Sequence, residues 1–409
     1  MKKICVLTVG LLAASSMTAQ VAVVKEAEKE FKNASTYAAY QKALQTITPA
    51  FSNPETEKEA NTYWIPGKNG FKLYDDLFAK KTIGQDVNLV DMGNALLDGY
   101  NFGLKALDCD TVVDAKGKVK TKLSKDIASQ ITGHANDFLN AGAAFWESRE
   151  FGKAYEAFAD YLAIPGNARF GKSAPAALPD STVSQIEYNL ALAAWQAEKL
   201  PESAAAFDRL LARGYDEPAA YDYAFSVAYQ MNDEDRKFRY SQIAFDKFGT
   251  SNPAFLQRLV NSYIERKEYD KAITMLDNAI AAEPNNSTYY LSLGVLREQQ
   301  NDTIAAKNAY KKAVELDGEN AINNLYYGRM LVQEYDALDQ AAANMSQNEY
   351  NKYNYETMRP ILLDAVKYLE KAYQLDNEQT DALRYLKNIY YVLNDGDNLK
   401  RVEGLLLGQ

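Results

Sequence analysis

The sequence predicts an all-α protein: a superhelical solenoid of helical hairpins, with divergent hairpins towards its N-terminus and a capping unit at its C-terminus. Three observations carry this. The first is the stretch Ser287–Gly318, STYYLSLGVLREQQNDTIAAKNAYKKAVELDG. Tyr290, Leu293, Gly294 and Arg297 follow one another at +3, +4 and +7, which is one face of a helix. A polar break, Gln299 to Thr303, separates them from a second stripe of Ala306, Tyr310 and Ala313, and Leu316-Asp317-Gly318 closes the unit. The second observation is recurrence. One period earlier, Leu256, Leu259, Val260 and Tyr263 stand before Ala272, Leu276 and Ala279. One period later, Leu325, Tyr327, Gly328 and Leu331 begin another unit, whose second helix reappears as Ala365, Leu369 and Ala372. The third is residue size. Gly294 and Ala306 let two backbones approach closely, and Tyr290 and Tyr310 fill the space around that contact.

One hairpin of this kind cannot bury its apolar face, so it needs stacked neighbours. The unit resembles the tetratricopeptide repeat, a helix–turn–helix of about 34 residues. The resemblance implies a stack whose first helices line a concave groove that takes a protein or peptide, with atypical units at the ends.

From the start of the chain, Met1-Lys2-Lys3 is a basic region, Ile4–Ala14 an apolar run and Ser15–Ala19 a small-residue stretch. Residues 1–19 therefore read as a secretory leader cleaved after Ala19, too short for a membrane span, and the chain resembles the exported bacterial type of repeat protein. Cys5 lies at the front of the apolar run, so it is not a lipidation site. The expected location is periplasmic or outer-membrane associated, without a lipid anchor. No other stretch is apolar enough to span a bilayer. Residues 20–123 form a divergent N-terminal region of two hairpins. Within it a helix starts at Asn53-Pro54-Glu55 and kinks or breaks at Pro66-Gly67. Residues 108–123 read as a small β-hairpin or an exposed loop. Residues 124–409 are the repeat array. Phe138, Ala141, Gly142 and Phe145 pair with Ala154, Phe158 and Tyr161; Leu190, Ala191 and Ala194 pair with Phe207 and Leu210. Leu383, Leu386 and Tyr390, followed by 397–407, make the cap. Insertions interrupt the array near 165–180 and 336–359. The second reads either as a lengthened helix with a solvated loop or as a functional segment, since it carries Tyr350, Tyr353 and Tyr355.

Composition narrows the chemistry. Losing Lys2 and Lys3 leaves 43 basic residues of the 45 against 55 acidic ones, which argues against a nucleic-acid partner. Cys109 alone survives cleavage and cannot form an internal disulfide. His134 is the only histidine, so a His-rich zinc site is excluded, and no GxSxG elbow stands beside it. Asp108, Asp110 and Asp114 suggest calcium, but Val112 and Val113 stand where the loop needs an oxygen ligand and a glycine. Gly166–Ser173 matches the phosphate-loop pattern GxxxxGK[ST]. That loop works between a strand and a helix, and here a repeat helix precedes it and Pro175 and Pro179 follow. No cofactor and no metal is expected, and the protein does not read as an enzyme.

The face of each first helix opposite its packing stripe points into the groove. Spacing places Trp146, then Tyr188 and Trp195, then Tyr223 there in the N-terminal half of the array, and Leu291, Leu325 and Arg329 in the C-terminal half. These are the candidate ligand-binding residues, because Trp and Tyr are favoured anchors. Some tetratricopeptide proteins grip a C-terminal carboxylate with Lys, Asn and Arg. Asn140 and Asn189 suit that clamp, but Leu139, Ala143, Ala220 and Ala224 hold the cationic positions. The expected function is a scaffold for a protein or peptide partner in envelope assembly or organisation. The alternative is a glycan-binding protein whose rings stack on sugars.

Overall fold

The structure is a computed structural model and describes residues 21–113, 119–249, 252–378 and 380–407. The leader expected over 1–19 and Asp114 lie outside the described residues. The chain divides into two units, one up to Asp233 and one from Glu234. In each, antiparallel helices stack in chain order.

The first unit runs through α1 (21–33), α2 (Tyr37–Ile47), α3 (Ala60–Thr82) and α4 (Leu89–Cys109). A two-residue hairpin follows, β1 (Val112–Val113) against β2 (Val119–Lys120), antiparallel with Val112 opposite Lys120. Then come α5 (Ser124–Gly133), α6 (Asp137–Glu147), α7 (Phe151–Ala163), α8 (Asp180–Gln196), α9 (Leu200–Ala212) and α10 (Pro218–Gln230). The second unit comprises α11 (Glu234–Phe248), α12 (Pro253–Glu265), α13 (Tyr269–Ala282), α14 (Ser287–Gln299), α15 (Thr303–Leu316), α16 (Ala321–Ala341), α17 (Gln347–Tyr353), α18 (Arg359–Leu375), α19 (Thr380–Val392) and α20 (Gly396–Leu407).

Three local devices set the repeat. Asn252, Asn286 and Asn320, 34 residues apart, cap α12, α14 and α16, each side chain accepting a backbone N–H of the first turn. A small residue on the first helix then meets a ring sixteen positions on. A methyl group on Gly142 would lie 2.5 Å from the Phe158 ring, and one on Gly294 would lie 2.4 Å from the Tyr310 ring. Gly328 meets Leu369 in the same way across the second insertion. Finally, a residue in the left-handed region closes six tight turns between helices consecutive in the chain: Arg149, Glu198, Asn232, Lys267, Asn301 and Asn394, with φ between 52° and 61°. After each, the next N–H reaches back to the helix, as Glu150 to the Phe145 carbonyl and Asp302 to that of Arg297. This is the Schellman closure, here made without glycine.

Two sequence expectations are corrected. No helix starts at Asn53: residues 53–58 are turns, and α3 begins at Ala60 and runs unbroken through Pro66. Proline costs about 3 kcal/mol inside a helix. Packing against α4 offsets this: Gly70 lies so close that an added methyl would sit 2.8 Å from the Gly99 nitrogen, and Gly67 presses on Gly103. Tyr40 also donates from its hydroxyl to the Pro66 carbonyl at 3.0 Å. In α14 the buried ring is Tyr289, at 2 % exposure, not Tyr290. A stacked helix is covered on more than one side, so burial there is wider than a single stripe.

The second insertion lengthens α16 to Ala341 and then forms α17 and a π-turn, Asn354–Met358, before α18. Pro360 sits in the first turn of α18. Met358 is buried, Tyr350 and Tyr353 pack beside the core, and Tyr355 is exposed.

Candidate functional site

In the first unit, α6, α8 and α10 present one face of aromatic side chains. Gly142 lets the Phe158 ring of α7 slide under α6, and that ring floors a pocket of ≈ 190 Å³. Ala143, Trp146, Glu147, Asn189 and Leu192 complete it. Trp146 is 37 % exposed and is held edge-on by Phe151, at 5.1 Å between ring centroids. Along α8, Leu192 and Trp195 continue the face. Trp195 meets Tyr223 at 5.6 Å, and Tyr188 meets Tyr223 at 6.5 Å and Tyr215 at 5.5 Å. The Trp195 indole N–H donates to Gln230 Oε1 at 3.0 Å, which fixes the ring's tilt. Burial, then Tyr223, Tyr215 and Glu217, raise the Tyr188 hydroxyl above its ordinary value, so it is protonated at neutral pH.

The reverse side of α8 is clamped to its partner helix. Glu187 is buried and accepts from Arg209 at 2.8 Å and from Arg213 at 3.3 Å; Arg213 also reaches Asp180 at 2.8 Å. The structure therefore brings Tyr188, Trp195 and Tyr223 into one cluster, with Trp146 in the adjoining pocket. Asn189 lines that pocket and Asn140 is exposed, whereas Ala220 and Ala224 are buried.

The other three candidates lie in the second unit. Leu325 and Arg329 line a cleft of ≈ 460 Å³ with Val295, Glu298, Tyr326 and Tyr385. Leu325 is only 7 % exposed and belongs mainly to the core, and Leu291 packs against the same core. The Arg329 guanidinium is occupied: it binds Glu298 at 2.5 Å and lies over the Tyr326 ring at 4.9 Å. The Tyr310 hydroxyl donates to the same Glu298 oxygen at 2.6 Å.

Residues with catalytic or ligand-binding precedent have other duties here. His134 stacks on Phe71 at 4.8 Å, and its Nδ1 lies 2.9 Å from Asp137. Asp110 caps α5, accepting from the Leu123 and Ser124 N–H groups at 2.7 and 2.6 Å and from the Ser124 hydroxyl. Burial raises its carboxyl, but these donors outweigh burial and hold it below the ordinary range. Asp108 pairs with Arg169. The phosphate-loop match folds as a 3₁₀ turn, Ala168–Ser173, pinned by buried Phe170, with no strand before it and no helix directly after.

Phe158, Glu147 and Tyr215 were not among the site residues expected from sequence. Phe158 reads as a packing residue, and only the gap opened by Gly142 exposes its edge to the pocket. Tyr215 lies in a loop, where no helical spacing marks it.

No family model and no curated protein matches the chain. Among solved structures, it is similar to the C-terminal part of a TPR repeat-containing protein from Cytophaga hutchinsonii, with TM-score 0.42, 14% identity, 66% of this chain and 94% of that one. A tetratricopeptide repeat protein from Parabacteroides merdae gives TM-score 0.38, 10% identity, 67% of this chain and 93% of that one. YrrB, described as a TPR protein with an unusual peptide-binding site, gives TM-score 0.33, 13% identity, 48% of this chain and 96% of that one. Such distant likenesses say nothing about individual groove residues. The 34-residue spacing of α12, α14 and α16, each opened by an asparagine, with Gly294 of α14 and Gly328 of α16 set against a large side chain, is this chain's own. In fold, the chain is a tetratricopeptide-type array of helical hairpins.

Proposed function

We propose that the protein is a non-enzymatic scaffold, exported to the cell envelope, that holds a protein or peptide partner in the groove of α6, α8 and α10. The observation that carries this reading is the row Trp146, Tyr188, Trp195 and Tyr223, whose rings remain half-buried or exposed on helices otherwise closely packed. Aromatic side chains beside a largely apolar pocket are what peptide anchors use. The pocket walls favour a peptide over a glycan. Phe158, Leu192 and Ala143 offer no hydrogen bonds, which leaves the side chains of Glu147 and Asn189 and the Trp146 indole N–H to serve sugar hydroxyls. In the second unit, taken by itself, the cleft lined by Leu325 and Arg329, with Leu291 packed on the core beneath, is a separate candidate contact surface. Export is supported by the basic start and the apolar run of residues 1–14.

Photocrosslinking from the groove tests this. Benzoylphenylalanine replaces Leu192, and adducts are collected from native envelopes. The expected result is a protein adduct that disappears when Trp146→Ala and Trp195→Ala are added, with circular dichroism showing the variant folded. Polysaccharide adducts lost in that variant would establish the glycan alternative instead. Adducts indifferent to the two tryptophans would remove the groove from the account.

A further inference from the structure

We infer that the groove of the first unit selects a peptide segment of net positive charge that carries an apolar anchor; this rests on the peptide reading above. The helices α6, α8 and α10, of 11, 17 and 13 residues, contain no Lys or Arg, in a chain holding 45 such residues among 409. The carboxylates at the groove are Glu147 of the pocket and Glu217, which precedes α10 and acts on Tyr188.

Four cations of the first unit are engaged elsewhere. Arg209 and Arg213 bind Glu187 and Asp180 behind α8. Lys153 pairs with Glu150, and Lys199 lies over Tyr155 of α7. Among the described residues, no Lys or Arg stands over Trp146, Tyr188, Trp195 or Tyr223. The second unit shows the contrast, because there Arg329 of the chain itself lies over Tyr326. Electron-rich ring faces with Glu147 and Glu217 nearby, and with no Lys or Arg of the described residues over them, attract an ammonium or guanidinium from outside. The ≈ 190 Å³ pocket is of a size for one bulky apolar side chain, not for a folded surface. Charge and shape together describe a basic, extended segment with a Leu-like or aromatic anchor. This is the opposite sign to a carboxylate-gripping groove.

The test is selection of short random peptides displayed on phage against the full chain, with the Trp146→Ala/Trp195→Ala variant beside it. A chain of net charge −10 attracts basic peptides unspecifically. The tryptophan changes leave charge untouched, so only peptides lost in the variant are counted. Those peptides should be rich in Lys and Arg. Replacing their basic residues by Gln should weaken binding about tenfold, and Glu147→Lys should weaken it by a similar factor. Tryptophan-dependent peptides that are neutral or acidic would overturn the charge inference and leave the peptide groove standing. No tryptophan-dependent peptide at all would overturn both.

Discussion

At the scale of single residues, the fold depends on where side chains are absent. A methyl group at position 294 would meet Tyr310, which is fully buried and tied to Glu298 through its hydroxyl. Gly294→Ala should therefore destabilise the protein by about 1–3 kcal/mol through overpacking. Gly404, inside α20, has nothing within 4 Å of such a methyl. Gly404→Ala should stabilise by about 1 kcal/mol through helix propensity. Urea denaturation of both variants checks the opposite signs. Asp160 makes a second prediction. Burial, with Glu156 adding to it, pushes its carboxyl from 3.8 up to about 8. The folded state then binds a proton that the unfolded state releases, so this contribution is full below pH 4 and is lost as pH rises towards 8. Asp160→Asn should raise the melting temperature at pH 8 and change it little at pH 4. An equal shift at both values would contradict that assignment.

At the scale of elements, the sequence was legible wherever a periodic stripe or a small residue recurred. The bounds of α14 and α15 follow from Ser287–Gly318 alone, and the hairpin at 108–123 was one of two readings. What could not be read was anything that depends on the neighbour across the interface. Pro66 looks like a breaker until Gly99 and Gly103 of α4 are seen to hold α3 together. Tyr289 and Tyr290 are indistinguishable by type, and only stacking decides which is buried. The turns were hidden too, because Arg, Glu, Lys and Asn hold positions where glycine would announce a left-handed residue. Lys267, at φ 60°, is exposed. Lys267→Gly should relieve the Cβ strain and stabilise by about 1 kcal/mol in thermal or urea unfolding. A loss of stability would show that the turn is held by something other than backbone geometry.

At the scale of the whole molecule, the aromatic groove is built on α6, α8 and α10 of the first unit. In the candidate site, Trp146, Tyr188, Trp195 and Tyr223 could be named from spacing because each lies opposite a packing stripe. Phe158 and Tyr215 could not, since one enters through a gap and the other from a loop. The protein has three tryptophans, and the third, Trp64, is buried at 4 % exposure in the first unit. This provides an internal control for the central claim. With 5-fluorotryptophan incorporated, each ring gives its own ¹⁹F line, assigned by single Trp→Phe variants. Titration with the peptides selected by display should shift the lines of Trp146 and Trp195 and leave that of Trp64 in place. Binding seen by anisotropy while both groove lines stay fixed would contradict the account and place the ligand elsewhere on the chain.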